Sequence, residues 1–441
     1  MKRYYIHKLG CPKNDVDAEY LSGYLGNLGF QKTDDADDAD YIIVNTCAFI
    51  RDAKEESIDS ILHLIKIKDR KKDSRVIVTG CLAQRYSHDL VKDIPEIDGV
   101  LGLDNITQIR DLMDNKDAKI AIAENNSREY REFQIDRELD PNQVFGYLKI
   151  SDGCNNRCAY CSIPDIRGRF RSRKMENILN EARYLINHGK KEIILVSQEC
   201  TAYGLDLYGR QCLSSLLDGL SGLDGDFWIR IMYLHPGRLT SDLIDYIIDN
   251  PKICNYFDLP LQHCSDDILR AMGRKTTRSS IEKLISKIRQ KKMRSAIRTN
   301  FIVGFPGETE KQFEELCSFI EEIEFDRLGA FVYSREENTK AADMPNQVEH
   351  KTKDERYHHL MEIQREIALT RNENDIGERF EGIIDRVNFE EGYSIARTRF
   401  DAPEIDQEVN LKNIDLRPGE FIPIIITGYD GYDLLGTREE Q

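Results

Sequence analysis

The sequence predicts an α/β protein in three parts: an N-terminal parallel α/β sheet, a central incomplete (β/α)6 barrel and a small C-terminal antiparallel β-barrel. Three observations carry that expectation. A short apolar run followed by a cysteine recurs three times near the start; six apolar runs then alternate with helical patterns; and the last part turns to alternating strands broken by glycine turns. A chain of 441 residues exceeds what one hydrophobic core serves, and the changes of pattern put domains at 1–117, 140–369 and 372–438.

In the first part, apolar runs at 4–9, 41–44 and 76–79 precede Cys11, Cys47 and Cys81. Between them lie 15–28 and 53–68, the latter with Ile58, Ile61, Leu62 and Ile65 at helical spacing. Helical crossovers between strands imply a parallel sheet, in which all strands point one way. The three cysteines then share its carboxyl edge, where open α/β sheets place their ligands. Residues 111–143 are polar and mixed and read as an inter-domain connection. The barrel strands are expected at 147–150, 192–196, 227–233, 256–259, 297–303 and 327–333, with helices such as 177–187, 242–249, 280–290 and 310–323 between them. Six units fall short of the eight that close a barrel, and its site belongs at the C-terminal strand ends. After a charged helix at 354–372, strands are expected at 380–387, 393–399, 421–427 and 432–435, punctuated by Gly392, Gly419 and Gly431.

Composition narrows the class. No apolar run approaches the roughly 18 residues of a membrane span, and residues 1–9 alternate polar with apolar, unlike a signal peptide; a soluble, cytoplasmic protein is expected. The grouping of the 11 cysteines suits metal binding in a reducing compartment better than a disulfide framework. A net charge of -16 disfavours non-specific attraction to nucleic acid and favours a basic partner. The last part, with 7 basic against 15 acidic residues over 376–441, is poorly suited to gripping phosphates.

The densest motif is Cys154-Asn155-Asn156-Arg157-Cys158-Ala159-Tyr160-Cys161, directly after a predicted strand. A four-iron cubane needs four ligands, so three local thiolates leave one iron open to another molecule. A zinc site or redox pair is the competing reading, but structural zinc wants four protein ligands and Cys200 lies beyond another strand. The motif resembles that of the radical S-adenosylmethionine superfamily. The resemblance implies that the open iron chelates the methionine moiety and that a 5'-deoxyadenosyl radical abstracts a hydrogen atom, a route to C–H bonds no side-chain base can deprotonate. It also implies cofactor contacts from Tyr160, from Gln198 and Glu199 near the amino group, and from Arg298, Val303 and Gly304 against ribose and adenine. Gly304 and Gly307 read equally well as ordinary turn glycines, and Glu308 as the cap of the next helix.

Cys11, Cys47 and Cys81 read as ligands of a second cluster, against the alternative of buried free cysteines. The segments around them, Leu9 to Asn14, Val44 to Cys47 and Val78 to Gln84, resemble the N-terminal domain of the methylthiotransferases. That family joins such a domain to a radical barrel and a terminal TRAM barrel. The resemblance implies two 4Fe-4S clusters, one making the radical and the other carrying the methylthio group, with an unidentified sulfur source and electron donor. The remaining cysteines, Cys200, Cys212, Cys254, Cys264 and Cys317, are expected to be buried packing.

Cys11-Pro12-Lys13-Asn14 resembles the family's branch that modifies an aspartate of a small-subunit ribosomal protein of the S-twelve type, rather than the branch that modifies tRNA adenosine. The acidic terminal barrel, the expected contact for the target, points the same way. The cluster Arg167, Arg169, Arg171, Arg173 and Lys174 reads either as a phosphate patch or as partners for carboxylates. The leading expectation is therefore protein methylthiolation. tRNA methylthiolation is the alternative, and a non-catalytic metal-binding interaction protein a third.

Overall fold

The computed structural model describes residues 1–71, 73–115, 119–122, 129–133, 136–412 and 415–439. The first unit is a wholly parallel sheet of six strands, in the order Gln31–Lys32, Arg3–Lys8, Tyr41–Thr46, Arg75–Gly80, Gly99–Leu101 and Ile120–Ala121. The two central strands are buried along their whole length, as a sheet covered on both faces requires. Three of the six strands were not expected from the sequence, because two or three residues are too few to show a period. Helices Pro12–Asn27, Arg51–Lys68 and Cys81–Asp93 make the crossovers, each leaving the carboxyl end of a strand.

The expected connection over 111–143 is more structured than its composition suggests. Its start belongs to helix Ile109–Asp114 and strand Ile120–Ala121, and the boundary at 117 lies outside the described residues. Its end is a packed seam: Arg137 pairs with Glu19 and Glu181, and Glu138 accepts from Tyr4. Ion pairing between two domains accounts for the polar residues of this seam, while Asp111, Asp114, Arg131, Asp140 and Asn142 are exposed.

Six parallel strands form the central barrel as two triplets. One runs Trp228–Ile231, Glu192–Val196, Phe145–Lys149, the other Tyr256–Gln262, Ala296–Val303, Arg327–Val332. A parallel bridge between Ile229 and Ile253 joins them. The open seam between first and sixth strands is spanned by the N-terminal unit. Its helix Pro12–Asn27 packs on Phe145–Lys149, while Lys54 and Arg85 reach Glu336, just past the sixth strand, at 2.7 and 3.0 Å. What two further β/α units would cover is thus covered by another domain.

Helix His350–Asn374 leads to a closed five-stranded barrel, Arg379–Asn388, Tyr393–Thr398, Val409–Leu411, Asp433–Arg438 and Phe421–Asp430. Strand Val409–Leu411 is the one the sequence pattern did not show. This barrel meets the central strands at their first residues. Arg397 pairs with Glu192 at 2.8 Å, Tyr256 donates to Asp406 at 2.5 Å, and the tilted rings of Trp228 and Phe421 pack with centroids 5.0 Å apart. It therefore plugs the mouth opposite the cysteine loop. Among the described residues no helix is long and apolar enough to cross a membrane.

Candidate iron-sulfur and cofactor site

Cys11 is the N-cap of helix Pro12–Asn27, Cys47 follows strand Tyr41–Thr46, and Cys81 opens helix Cys81–Asp93. All three lie at the carboxyl edge, as the strand pattern required. Asn14 ties that edge together. Its amide donates to the carbonyls of Leu9 and Thr46 at 3.0 Å each, and its Oδ1 lies 3.7 Å from the Cys81 sulfur. A second clamp is Ser57, whose hydroxyl exchanges hydrogen bonds with the backbone of Cys47. Gly80 permits the turn into Cys81: its φ is +93°, and an added Cβ would sit 2.4 Å from the Thr46 carbonyl oxygen. Gly80→Ala is expected to cost at least about 2 kcal/mol through the backbone alone, measured by urea denaturation.

Burial pushes the Cys81 thiol up to about 12, against the opposite pull of Arg167, and raises Cys47 as well. On the second loop burial holds Cys154 near 11 and Cys161 near 12. Buried thiols of this kind stay protonated until a metal compensates the thiolate charge. Among the described residues no three His, Cys, Asp or Glu side chains converge tightly enough to hold a single metal ion. A four-iron cubane differs in kind, since each thiolate binds a separate iron.

The Cys154 to Cys161 loop follows the first barrel strand, with Ser151–Asp152 paired antiparallel to Arg171–Ser172 beneath it. The Ala159 amide donates to the Met272 carbonyl, and its own carbonyl accepts from Ala341, both at 2.8 Å. The Tyr160 phenol is in contact with Cys158. Gln198 donates to Asp152 at 3.0 Å, while its buried Oε1 has no hydrogen-bond partner among the described residues, an acceptor suited to a ligand's donor. Glu199 is committed to Arg238, at 2.5 Å, and to Asn156 on the loop. Arg298 pairs with Asp258 at 3.0 Å and approaches Asp406 at 3.5 Å, so its guanidinium is taken up by carboxylates. Val303 is fully buried. Gly304 has a φ of +71° and a Cβ there would lie 2.3 Å from Lys353, so turn geometry and close packing suffice to explain this glycine. The helix after Glu308 is capped by Thr309, not by Glu308 itself, because Thr309 forms a reciprocal capping box with Gln312.

The basic cluster resolves into ion pairs. Arg167, Arg171 and Arg173 are 1–4% exposed and face Asp152 and Asp17, Asp104, and Glu132 and Glu181. Only Arg169 and Lys174 of the five are exposed, so the cluster is not a phosphate-binding face. Arg167 also donates to Asn14 at 2.6 Å. A continuous line therefore runs from the first cysteine edge through Asn14, Arg167 and Asp152 to Cys154. Asp17 and Asp152 had no sequence signal of their own, and Asn14 only its place in the motif at Cys11, since their partners lie far along the chain. The five other cysteines are all buried, as expected.

Residues 3–102 match the uncharacterized protein family UPF0004, 148–320 the radical SAM superfamily and 376–438 the TRAM domain. Superfamily membership implies a 4Fe-4S cluster and S-adenosylmethionine. Among solved structures, the radical S-adenosylmethionine methyltransferase TsrM from Kitasatospora setae is similar with a TM-score of 0.55 at 14% identity, over 75% of this chain and 73% of that one. The cobalamin-dependent enzyme OxsB is similar with a TM-score of 0.50, also at 14% identity, over 83% and 56%. These likenesses show the fold. Sequence relatives are much nearer. The chain is 47% identical to the ribosomal protein uS12 methylthiotransferase RimO of Desulforamulus reducens, with 97% of both chains covered. It is 44% identical to the protein of that name from Petrotoga mobilis, covering 99% of both. Identity at this level over nearly whole chains shows that the protein belongs to the RimO family of radical SAM methylthiotransferases.

Proposed function

We propose that this enzyme replaces a hydrogen on the β-carbon of an aspartate in ribosomal protein uS12 by a methylthio group. The observation that supports the reading most is the pairing of two three-cysteine groups, one on each domain, joined by the buried line Asn14, Arg167 and Asp152. The names of its relatives supply the target. Cys154, Cys158 and Cys161 would hold the cluster that acts with S-adenosylmethionine, and Cys11, Cys47 and Cys81 a second one. Three cysteines each suit a cubane that keeps one iron open. When bound, these groups supply a deoxyadenosyl radical and a sulfur to be methylated.

The chain's own side chains have simpler tasks. The orphaned Gln198 Oε1 suits the cofactor's amino group, Tyr160 lies against the loop, and Glu199 holds Asn156 in place through its own pairing with Arg238. The end of strand Ala296–Val303, which carries Arg298 and Val303, and Gly304 just after it make up the region read as lying against the ribose and adenine. An electron donor and a sulfur source complete the reaction. The acidic balance of the chain suits a basic ribosomal protein in the cytoplasm, and the buried arginine cluster removes the main support for tRNA. Mass spectrometry of uS12 from cells lacking the gene is expected to show loss of the methylthio mass. Unchanged uS12 together with a missing hydrophobic nucleoside in digested tRNA would overturn the proposal.

A further inference from the structure

Lys13 is a buried cation held by the Tyr233 ring and, among the described residues, by no acid. It is 7% exposed and stands in the first turn of helix Pro12–Asn27, two residues after Cys11. An ammonium is disfavoured there twice. The positive end of the helix dipole repels it, and burial removes its water. Other buried cations nearby have compensation of their own: Arg167 and Lys149 share Asp17 and Asp152, Arg137 has Glu19 and Glu181, and Arg173 has Glu132 and Glu181. Among the described residues Lys13 has no carboxylate within ion-pair distance. Its Nζ lies 3.5 Å from the Ser197 carbonyl oxygen and 3.8 Å from the centre of the Tyr233 ring. Lys190 and Lys353 also lack acids, but they bond carbonyl oxygens at 2.5–3.0 Å, the normal distance for structural lysines.

The position of this ammonium matters as much as its isolation. Cys11 and Arg167 face it from the N-terminal domain side and from the segment after the radical loop, and Tyr233 from the end of the third barrel strand. Ser197 begins the turn whose next two residues, Gln198 and Glu199, reach Asp152 and Asn156 at the loop of Cys154. Lys13 therefore sits where the edge carrying Cys11 meets the barrel turn that reaches the Cys154 loop, at the seam between the two cysteine groups. A buried cation with no acid beside it among the described residues, at the seam between the two cysteine groups, is suited to receive a carboxylate.

We propose that the Lys13 ammonium binds the side-chain carboxylate of the substrate aspartate and makes the enzyme selective for an acidic side chain. The inference rests on the methylthiotransferase reading and deepens it. With the carboxylate held at Lys13, the adjacent β-carbon is the carbon presented between the two cysteine groups.

The test uses the full-length enzyme reconstituted with iron and sulfide, and two forms of uS12: the natural protein and one with the target aspartate replaced by asparagine. Binding of each is measured by equilibrium titration, beside iron content and deoxyadenosine release without uS12. Wild-type enzyme is expected to bind the natural protein about 30-fold more tightly than the asparagine form, the effect of removing one partner of a buried charged pair. Lys13→Met and Lys13→Gln are expected to bind both forms alike, at the weaker affinity, with iron content and deoxyadenosine release retained. Lys13→Arg is expected to keep the preference. Preference surviving in Lys13→Met and Lys13→Gln would overturn the proposal. So would an equal loss for both forms with falling iron, which would mark Lys13 as a counter-charge for the Cys11 thiolate. Failure of the wild-type enzyme to modify uS12 at all would instead remove the functional reading itself.

Discussion

Cys81→Ala enzyme is expected to keep releasing 5'-deoxyadenosine from S-adenosylmethionine while forming no methylthiolated uS12, whereas Cys158→Ala enzyme loses both. The difference follows from where the thiols sit. Cys81 opens a helix at the edge of the N-terminal sheet, and Cys158 lies on the loop beyond the first barrel strand. On the proposed reading each three-thiolate site would lose its cubane when one ligand goes, while the other stands on a separate domain core. Iron analysis is expected to fall to about half in either variant, and anaerobic assays of deoxyadenosine and of uS12 mass separate the two. Equal loss of deoxyadenosine from both variants would contradict the division of labour between them.

Glu181→Ala is expected to lower stability by about 3 kcal/mol at pH 7, the scale of breaking a buried ion pair by removing one partner. Glu181 stands on helix Met175–Asn187 and receives Arg173 at 2.5 Å, Arg137 at 2.6 Å and the Tyr20 hydroxyl at 2.6 Å. These three come from the barrel, the inter-domain seam and the N-terminal helix, so one carboxylate joins three parts of the chain. Burial alone would raise its pKa. Arg173 and Arg137 outweigh that and hold it at about 2. A carboxylate whose folded pKa lies below the unfolded value of about 4.3 contributes fully above that pH, and the contribution is lost as pH falls towards 2. A shift of this size corresponds to about 3 kcal/mol, in agreement with the cost expected of the substitution. Urea denaturation at pH 7 and pH 3 is therefore expected to show a gap between wild type and variant at neutral pH that narrows in acid.

Local pattern made much of the architecture readable. Strand Glu192–Val196 and helix Glu310–Ile323 fall where their apolar spacing put them, because each has enough residues to show a period. Strands Gly99–Leu101 and Val409–Leu411 do not, and both exist only through pairing with longer neighbours. The reading of Glu308 as a cap failed for a related reason. Thr309 and Glu308 are adjacent candidates, and the choice depends on which backbone amide each can reach.

The two groups of three cysteines belong to what the sequence by itself determined. Cys154, Cys158 and Cys161 are close along the chain, and the crossover rule brings Cys11, Cys47 and Cys81 to one edge wherever the strands finally pack. Tertiary structure alone decided how the two groups face each other. Arg167 meets Asn14 across a separation of 153 residues, and that contact turns a suspected phosphate patch into a buried bridge. It also decided that the terminal barrel plugs the far mouth and that Lys13 lies buried against Ser197 with no acid beside it among the described residues. Domain docking creates these relations, and a docked charge or an isolated one leaves no periodic trace in the residues beside it.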